Sequence, residues 1–222
     1  MGSPGFIPAL RFHRLTRFYD AVLARTMKEE VIKRCLISQA TLEPGMRVLD
    51  LGCGTATLSL LLKQLHPDVE LHALDADHGA LSIARAKAEA ASLEIHFHQG
   101  YVQDPPFESQ GFDRILSSLL FHHLMRDDKQ HALNRARRLL KPNGELHVAD
   151  WGRPLGLLQR LAFLPVQCLD GFETTRDSVE GNLPRLIEEA GFEAVEETRR
   201  EPTLFGTLSM YRGLRPEMSE VP

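Results

Sequence analysis

Residues 47–65 join three segments in a fixed order: a short apolar run, Arg47-Val48-Leu49-Asp50-Leu51, a turn carrying Gly52 and Gly54, and a helical stretch from Thr57 to about Leu65. A strand, a tight turn and a helix open a βαβ unit, whose next strand returns parallel to the first. The order then repeats along the chain. Val69 to Leu74, Leu93 to His98, Phe112 to Ser117 and Glu145 to Ala149 read as strands. About Asp77 to Ala90 and Asp128 to Leu140 read as helices, the latter stopped by Lys141-Pro142-Asn143-Gly144. Upstream, apolar residues from Asp20 to about Ala40 recur at helical spacing and end at the turn Pro44-Gly45.

The fold expected is α/β, a doubly wound and mostly parallel sheet. Downstream, Leu183 to Ala190 reads as a helix closed by Gly191, a residue suited to a left-handed C-terminal cap. Ala194–Arg200 and Leu204–Arg212 are joined so closely that they should form an antiparallel hairpin at one edge of the sheet. At 222 residues, the chain is expected to be one domain. Its parts are an N-terminal arm and helix (1–40), a cofactor-binding core (41–150), a lid or insert (151–182) and a C-terminal helix and hairpin (183–222).

Charge narrows the partners. The formal net charge of −4 gives no long-range attraction to phosphate backbones, so a nucleic-acid partner is not expected. Three widely spaced cysteines, Cys35, Cys53 and Cys168, form neither a disulfide framework nor a metal pair, which fits a reducing cytoplasm. No apolar run approaches a membrane span, so stable membrane insertion is not expected. The leading MGSPGFIPAL lacks the basic and apolar regions of a signal peptide. A monomer or homodimer is expected.

Gly52 and Gly54 stand where a ligand can approach backbone without meeting a Cβ. Asp75, about 20 residues on and at the end of the next strand, has the spacing of a carboxylate that accepts both ribose hydroxyls of a nucleotide. A dinucleotide would set its pyrophosphate at the helix N-terminus and favours a third small residue there, whereas Thr57 fills that slot. Asp50 would repel the pyrophosphate and attract a cationic amino acid moiety. S-adenosylmethionine carries an ammonium and a sulfonium and no phosphate, and fits this charge pattern better than NAD.

These motifs resemble those of a known family. LDLGCGTATLSLLL is similar to motif I of class I S-adenosylmethionine-dependent methyltransferases, and LDADHGALSIARAKA to their second acidic motif, with Asp77 in the helix-capping slot. FDRILSSLLFHHL resembles motif IV, and RRLLKPNGELHVADW the segment through the fifth strand. The resemblance is closest to the ubiquinone/menaquinone-biosynthesis type, whose Phe-Tyr-Asp signature is matched by Phe18-Tyr19-Asp20. It implies that Asp50, Gly52, Cys53 and Gly54 line the methionine end and that Asp75 takes the ribose hydroxyls. Ala76, Tyr101 and Val102 would border the adenine, Ser117 would end the fourth strand, and Tyr19 would close over the methionine carboxylate. Two positions depart from the family: Ala56 replaces a usual glycine, which is tolerable with helical dihedrals, and Tyr101 replaces a usual acid.

Methyl transfer from a sulfonium is an in-line displacement whose main demand is alignment. His123 and His122, with His123 preferred, follow the fourth strand and are candidates to deprotonate a phenol, enol or amine acceptor. His122, His123, Asp127 and Asp128 lack helical ligand spacing, and His96 and His98 read as structural, so no metal is expected. The apolar segment Gly152 to Phe172 reads either as a lid over a hydrophobic acceptor pocket or as a crossover helix. Leu155, Leu158, Leu161, Ala162 and Phe163 would make one helical face of it. Arg176 and Tyr211 are candidates to reach the acceptor by resemblance alone. The function expected is methylation of a small, partly apolar acceptor. The competing readings are an inactive S-adenosylmethionine-binding protein and a nicotinamide-dependent oxidoreductase.

Overall fold

The computed structural model describes residues 29–217. Tyr19 and its Phe-Tyr-Asp signature lie outside them. The first helix, α1, spans Glu29–Gln39. There follow β1 (Arg47–Leu51), α2 (Thr57–Leu65), β2 (Glu70–Asp75), α3 (His78–Ala90), β3 (His96–Gln99) and β4 (Phe112–Ser118). A 3-10 turn, Phe121–His123, leads into α4 (Arg126–Leu139) and β5 (Leu140–Trp151). Three short helices come next, α5 (Leu157–Ala162), α6 (Leu164–Asp170) and α7 (Arg176–Glu180). The last elements are α8 (Leu183–Glu189), β6 (Glu193–Thr203) and β7 (Gly206–Leu214).

The strands form one sheet in the order β3-β2-β1-β4-β5-β7-β6. The first five run parallel, and β7 enters antiparallel between β5 and β6. This is the expected doubly wound sheet with its C-terminal hairpin. Period-two alternation explains how one strand serves two cores. Leu49 and Leu51 face Ala132, Leu133 and Ala136 of α4 together with Leu186 and Ile187 of α8. Val48 faces the opposite side, where Ile32, Leu36 and Ile37 of α1 join Leu58 and Leu62 of α2. Each such side chain contributes roughly 1.5–3 kcal/mol when fully buried. Both layers are thus fixed to the sheet independently of the loops at its ends.

Local chemistry sets the element boundaries. Asp77 caps α3, its Oδ1 accepting from the amides of Gly79 and Ala80 at 2.7 and 3.2 Å. Gly191, at φ +85°, ends the helical run after α8 in the left-handed conformation foreseen for it. The run Lys141-Pro142-Asn143-Gly144 does not separate α4 from β5 as expected. The strand begins at Leu140, opposite Phe112, and the four residues bulge before pairing resumes at Arg114 and Glu145. Asn143 adopts φ +61° in that bulge, and a Cβ on Gly144 would stand 3.1 Å from the Asp113 carbonyl oxygen. Among the described residues no helix is long and apolar enough to cross a membrane.

Ala56 corrects another expectation. Its φ of 63° and ψ of 30° are left-handed, not helical. An L-residue pays roughly 1–2 kcal/mol for that conformation, and its buried methyl returns about 0.8 kcal/mol. Replacing Ala56 with Gly should therefore leave stability in urea within about 1 kcal/mol of the parent, because relieved strain offsets the lost methyl and glycine's freer unfolded chain. A right-handed residue at this position would instead lose about 2 kcal/mol on the same change.

Candidate active site

Strand order reverses between β1 and β4, the place where open α/β sheets hold ligands at the carboxyl ends of their strands. The turn after β1 supplies Gly52, Cys53 and Gly54, and the turn after β4 supplies Leu119 to His123. They touch. A Cβ on Gly52 would lie 2.6 Å from Cδ1 of Leu120, and Gly52 has φ +77°. Gly54 is also left-handed, at φ +53°, but open space lies where its Cβ would be. The first glycine is required by packing against Leu120. The second leaves room for an approaching ligand. Leu119, at φ +57°, is held by donation from its amide to the Ala149 carbonyl at 2.8 Å.

Asp75 organises this end of the sheet. Its Oδ2 accepts from the Gly54 amide at 2.7 Å and its Oδ1 from the Asp77 amide at 2.9 Å. A carboxylate offers about four acceptor sites, so each oxygen retains capacity for a hydroxyl. Asp50 is buried at the end of β1, and its Oδ2 accepts from the Ser59 hydroxyl. Its Oδ1 is buried without a hydrogen-bond partner. Burial pushes the Asp50 carboxyl up to about 6, against the Ser59 hydroxyl and the nearby Lys33 ammonium, which lower it. An orphaned carboxylate oxygen, two left-handed glycines and a ribose-spaced acid fit a cationic amino acid joined to a nucleoside.

The remaining candidates divide. Cys53 is buried in the turn, and desolvation pushes its thiol far up. It serves as a small side chain. Ala76 is half-buried beside Asp75, and Val102 is buried. Tyr101 is 50% exposed. The Ser117 hydroxyl donates to the Leu51 carbonyl at 2.9 Å and fastens β4 to β1. Tyr211 is enclosed in β7, and Arg176 is exposed and paired with Glu180, so neither stands free to reach an acceptor.

A second polar centre follows β4. The buried His122 places Nδ1 2.8 Å from Oδ1 of Asp150, at the end of β5. Asp150 also accepts from the Phe121 and Trp151 amides, each at 2.7 Å. Those contacts fix the ring and leave Nε2 directed elsewhere, 3.7 Å from Oδ2 of Asp170. Burial disfavours the imidazolium, but the Asp150 and Asp170 carboxylates outweigh it and raise the His122 pKa above the usual histidine value. His123 lies against it with the two rings tilted, their centroids 3.9 Å apart. Desolvation and the adjacent His122 charge lower the pKa of His123. Of the two histidines, His122 is the buried one paired with Asp150, whereas His123, preferred from sequence, is the more exposed.

Asp150 and Asp170 were not identified from sequence. Asp150 had a signal, an acid ending a predicted strand beside one bearing a histidine. Asp170 had none, because it reaches the site only through the helical packing of residues 157–180. That segment is three short helices instead of one, with Phe163 and Val166 packed into the core. Leu155, Leu158 and Leu161 are 54%, 83% and 60% exposed, whereas Phe163 turns in against Trp151. Lys129, buried on α4, anchors it by donating to the Thr174 carbonyl at 2.6 Å and to Asp177 at 3.0 Å.

Comparison with known proteins agrees with this geometry. Residues 48–144 match a family described as a methyltransferase domain. A demethylmenaquinone methyltransferase of Thermus thermophilus is 30% identical over 202 residues, covering 83% of this chain and 89% of that protein. A ubiquinone/menaquinone biosynthesis C-methyltransferase of Vibrio campbellii is 27% identical, covering 92% and 86%. In fold, the YcgJ protein from Bacillus subtilis superposes with a TM-score of 0.72 at 16% identity, covering 85% of this chain and 99% of that one.

The contact between the two turns is directly testable. Gly52→Ala should lower stability by about 2 kcal/mol, combining left-handed strain with displacement of Leu120. In the double variant with Leu120→Ala, urea unfolding should show part of that loss recovered relative to the sum of the single changes.

Proposed function

The chain belongs to the class I S-adenosylmethionine-dependent methyltransferases, and we propose that its acceptor is a small, largely apolar ring compound bearing a hydroxyl, of the phenol or quinol type. The observation that supports this reading is the buried His122–Asp150 pair two residues after Leu120, which packs on Gly52 of the glycine turn, together with the exposed leucines of residues 155–161. The names of the relatives, a demethylmenaquinone methyltransferase and a C-methyltransferase of ubiquinone/menaquinone biosynthesis, support the same acceptor class.

When bound, the cofactor supplies a methyl group on a cationic sulfur that becomes a neutral thioether as the new bond to the acceptor forms. The residues of the chain hold the two partners. Asp75 receives the ribose hydroxyls on the lone pairs left by Gly54 and Asp77. Asp50 receives the ammonium on its orphaned oxygen, which keeps that buried carboxyl ionised. Gly54 admits close approach. Ala76, Val102 and Tyr101 border the adenine. His122, fixed by Asp150, presents Nε2 to the acceptor hydroxyl. His123 and Asp170 flank it. Leu155, Leu158 and Leu161 contact the apolar body of the acceptor. Alignment of this kind supplies roughly 7–11 kcal/mol of a barrier.

Asp75→Ala should weaken S-adenosylmethionine by about 1.5–3 kcal/mol in titration calorimetry, because hydrogen bonds to a charged acceptor are lost. Unchanged affinity would remove Asp75 from the site. Incubation with labelled cofactor and a panel of phenols, quinols, amines and thiols tests the acceptor. Label should enter the phenols or quinols, and His122→Gln should lower kcat/KM for them by about 10²-fold without weakening the cofactor. Transfer confined to amines or thiols would contradict the proposal.

A further inference from the structure

His122, His123 and Asp170 surround a gap of a particular size. Oδ2 of Asp170 stands 3.7 Å from Nε2 of His122, and Oδ1 stands 3.8 Å from Nδ1 of His123. Both separations exceed hydrogen-bond length, so no direct bond closes the gap. One ligand atom from each residue lies within 4.8 Å of the others. Ligand atoms around a tetrahedral zinc ion, each about 2.0–2.2 Å from the metal, lie roughly 3.3–3.6 Å apart. The three side chains are therefore too widely spaced to satisfy one another and need only a small adjustment to share an ion.

The surroundings agree. Metal-binding histidines commonly donate their second ring nitrogen to a carboxylate, which fixes tautomer and orientation. Nδ1 of His122 does this toward Asp150 at 2.8 Å, and Asp150 is itself held by two backbone amides. Asp150 and Asp170 together offset the charge of a dication. The nearby Lys129 ammonium is engaged by Thr174 and Asp177 and does not fill the gap. A second cluster, Glu70, His72 and His96, has similar ligand spacing. There the Arg47 guanidinium lies 3.0 Å from Glu70 and 3.3 Å from His72, so a cation already occupies the equivalent position.

We propose that His122, His123 and Asp170 bind a divalent first-row transition ion, such as Zn²⁺, with open positions facing the crevice. Two histidines and one carboxylate leave coordination sites for exogenous oxygen. The role of the ion rests on the acceptor reading above, although its binding does not. With the ion bound, Nε2 of His122 ligates it instead of contacting the acceptor directly; the acceptor hydroxyl oxygen ligates the ion, its proton passes to water, and the resulting oxyanion is held in register with the methyl group. Asp170 comes from the insertion, so the ion also ties that segment to the β4 turn.

The test uses the full chain, stripped with a chelator and titrated with Zn²⁺ alone, without cofactor or acceptor. One equivalent should bind per chain. Asp170→Asn and His123→Ala, both at partly exposed positions, should each weaken it at least about tenfold, while circular dichroism confirms that they fold. His96→Ala should leave the affinity unchanged. Absence of stoichiometric binding, retention of full affinity in both site variants, or its loss in His96→Ala would overturn the proposal. Stoichiometric binding with the expected variant pattern but no methylation of phenols or quinols would leave the ion site standing and remove the acceptor reading.

Discussion

The cofactor end of the molecule depends on one carboxylate bridging two loops. Asp75 leaves β2 and accepts the Gly54 amide of the turn after β1 and the Asp77 amide at the start of α3. Because β1 and β2 are adjacent and parallel, these contacts determine the relative height of the two loops before any ligand arrives. The same contacts leave lone pairs for hydroxyls, so the group that would grip the ribose is already oriented. Pre-organisation of this kind lowers the entropic cost of binding.

The second centre is built on similar lines. Asp150 closes β5 by accepting two backbone amides and then fixes His122. The loops after β1 and β4 meet through Gly52 and Leu120, so the cofactor turn and the histidine turn are packed together. Residues 157–180 are short helices with exposed leucines, anchored through buried Lys129 and its partners Thr174 and Asp177.

Most of the architecture was legible because it is periodic. Apolar runs alternating with helical stretches gave the parallel strands, Asp77 and Gly191 marked helix ends, and the short 201–203 connection gave the hairpin. Two local features escaped. Lys141-Pro142-Asn143-Gly144 has turn composition, but it bulges within β5, where the Asn143 amide donates to the Arg215 carbonyl and the Gly144 carbonyl accepts from the Arg215 amide, a pairing that composition does not reveal. Ala56 was expected to be tolerable with helical dihedrals, whereas it is left-handed at the end of the glycine turn, a choice its side chain does not signal. Of the site, the residues that could be read were those close together in sequence or at fixed βαβ spacing. Asp170 lies far from the histidines along the chain, and its approach depends on how the insertion packs, so no local pattern encodes it.

The most direct measurement is a crystal structure of the full chain with S-adenosylhomocysteine. The account predicts the nucleoside across the ends of β1 and β2, with both ribose hydroxyls within hydrogen-bond distance of the Asp75 carboxylate and the amino group at Asp50. It also predicts the sulfur directed toward the turn that carries His122. A nucleoside bound elsewhere, or a ribose that leaves Asp75 untouched, would contradict the account even with the sheet unchanged.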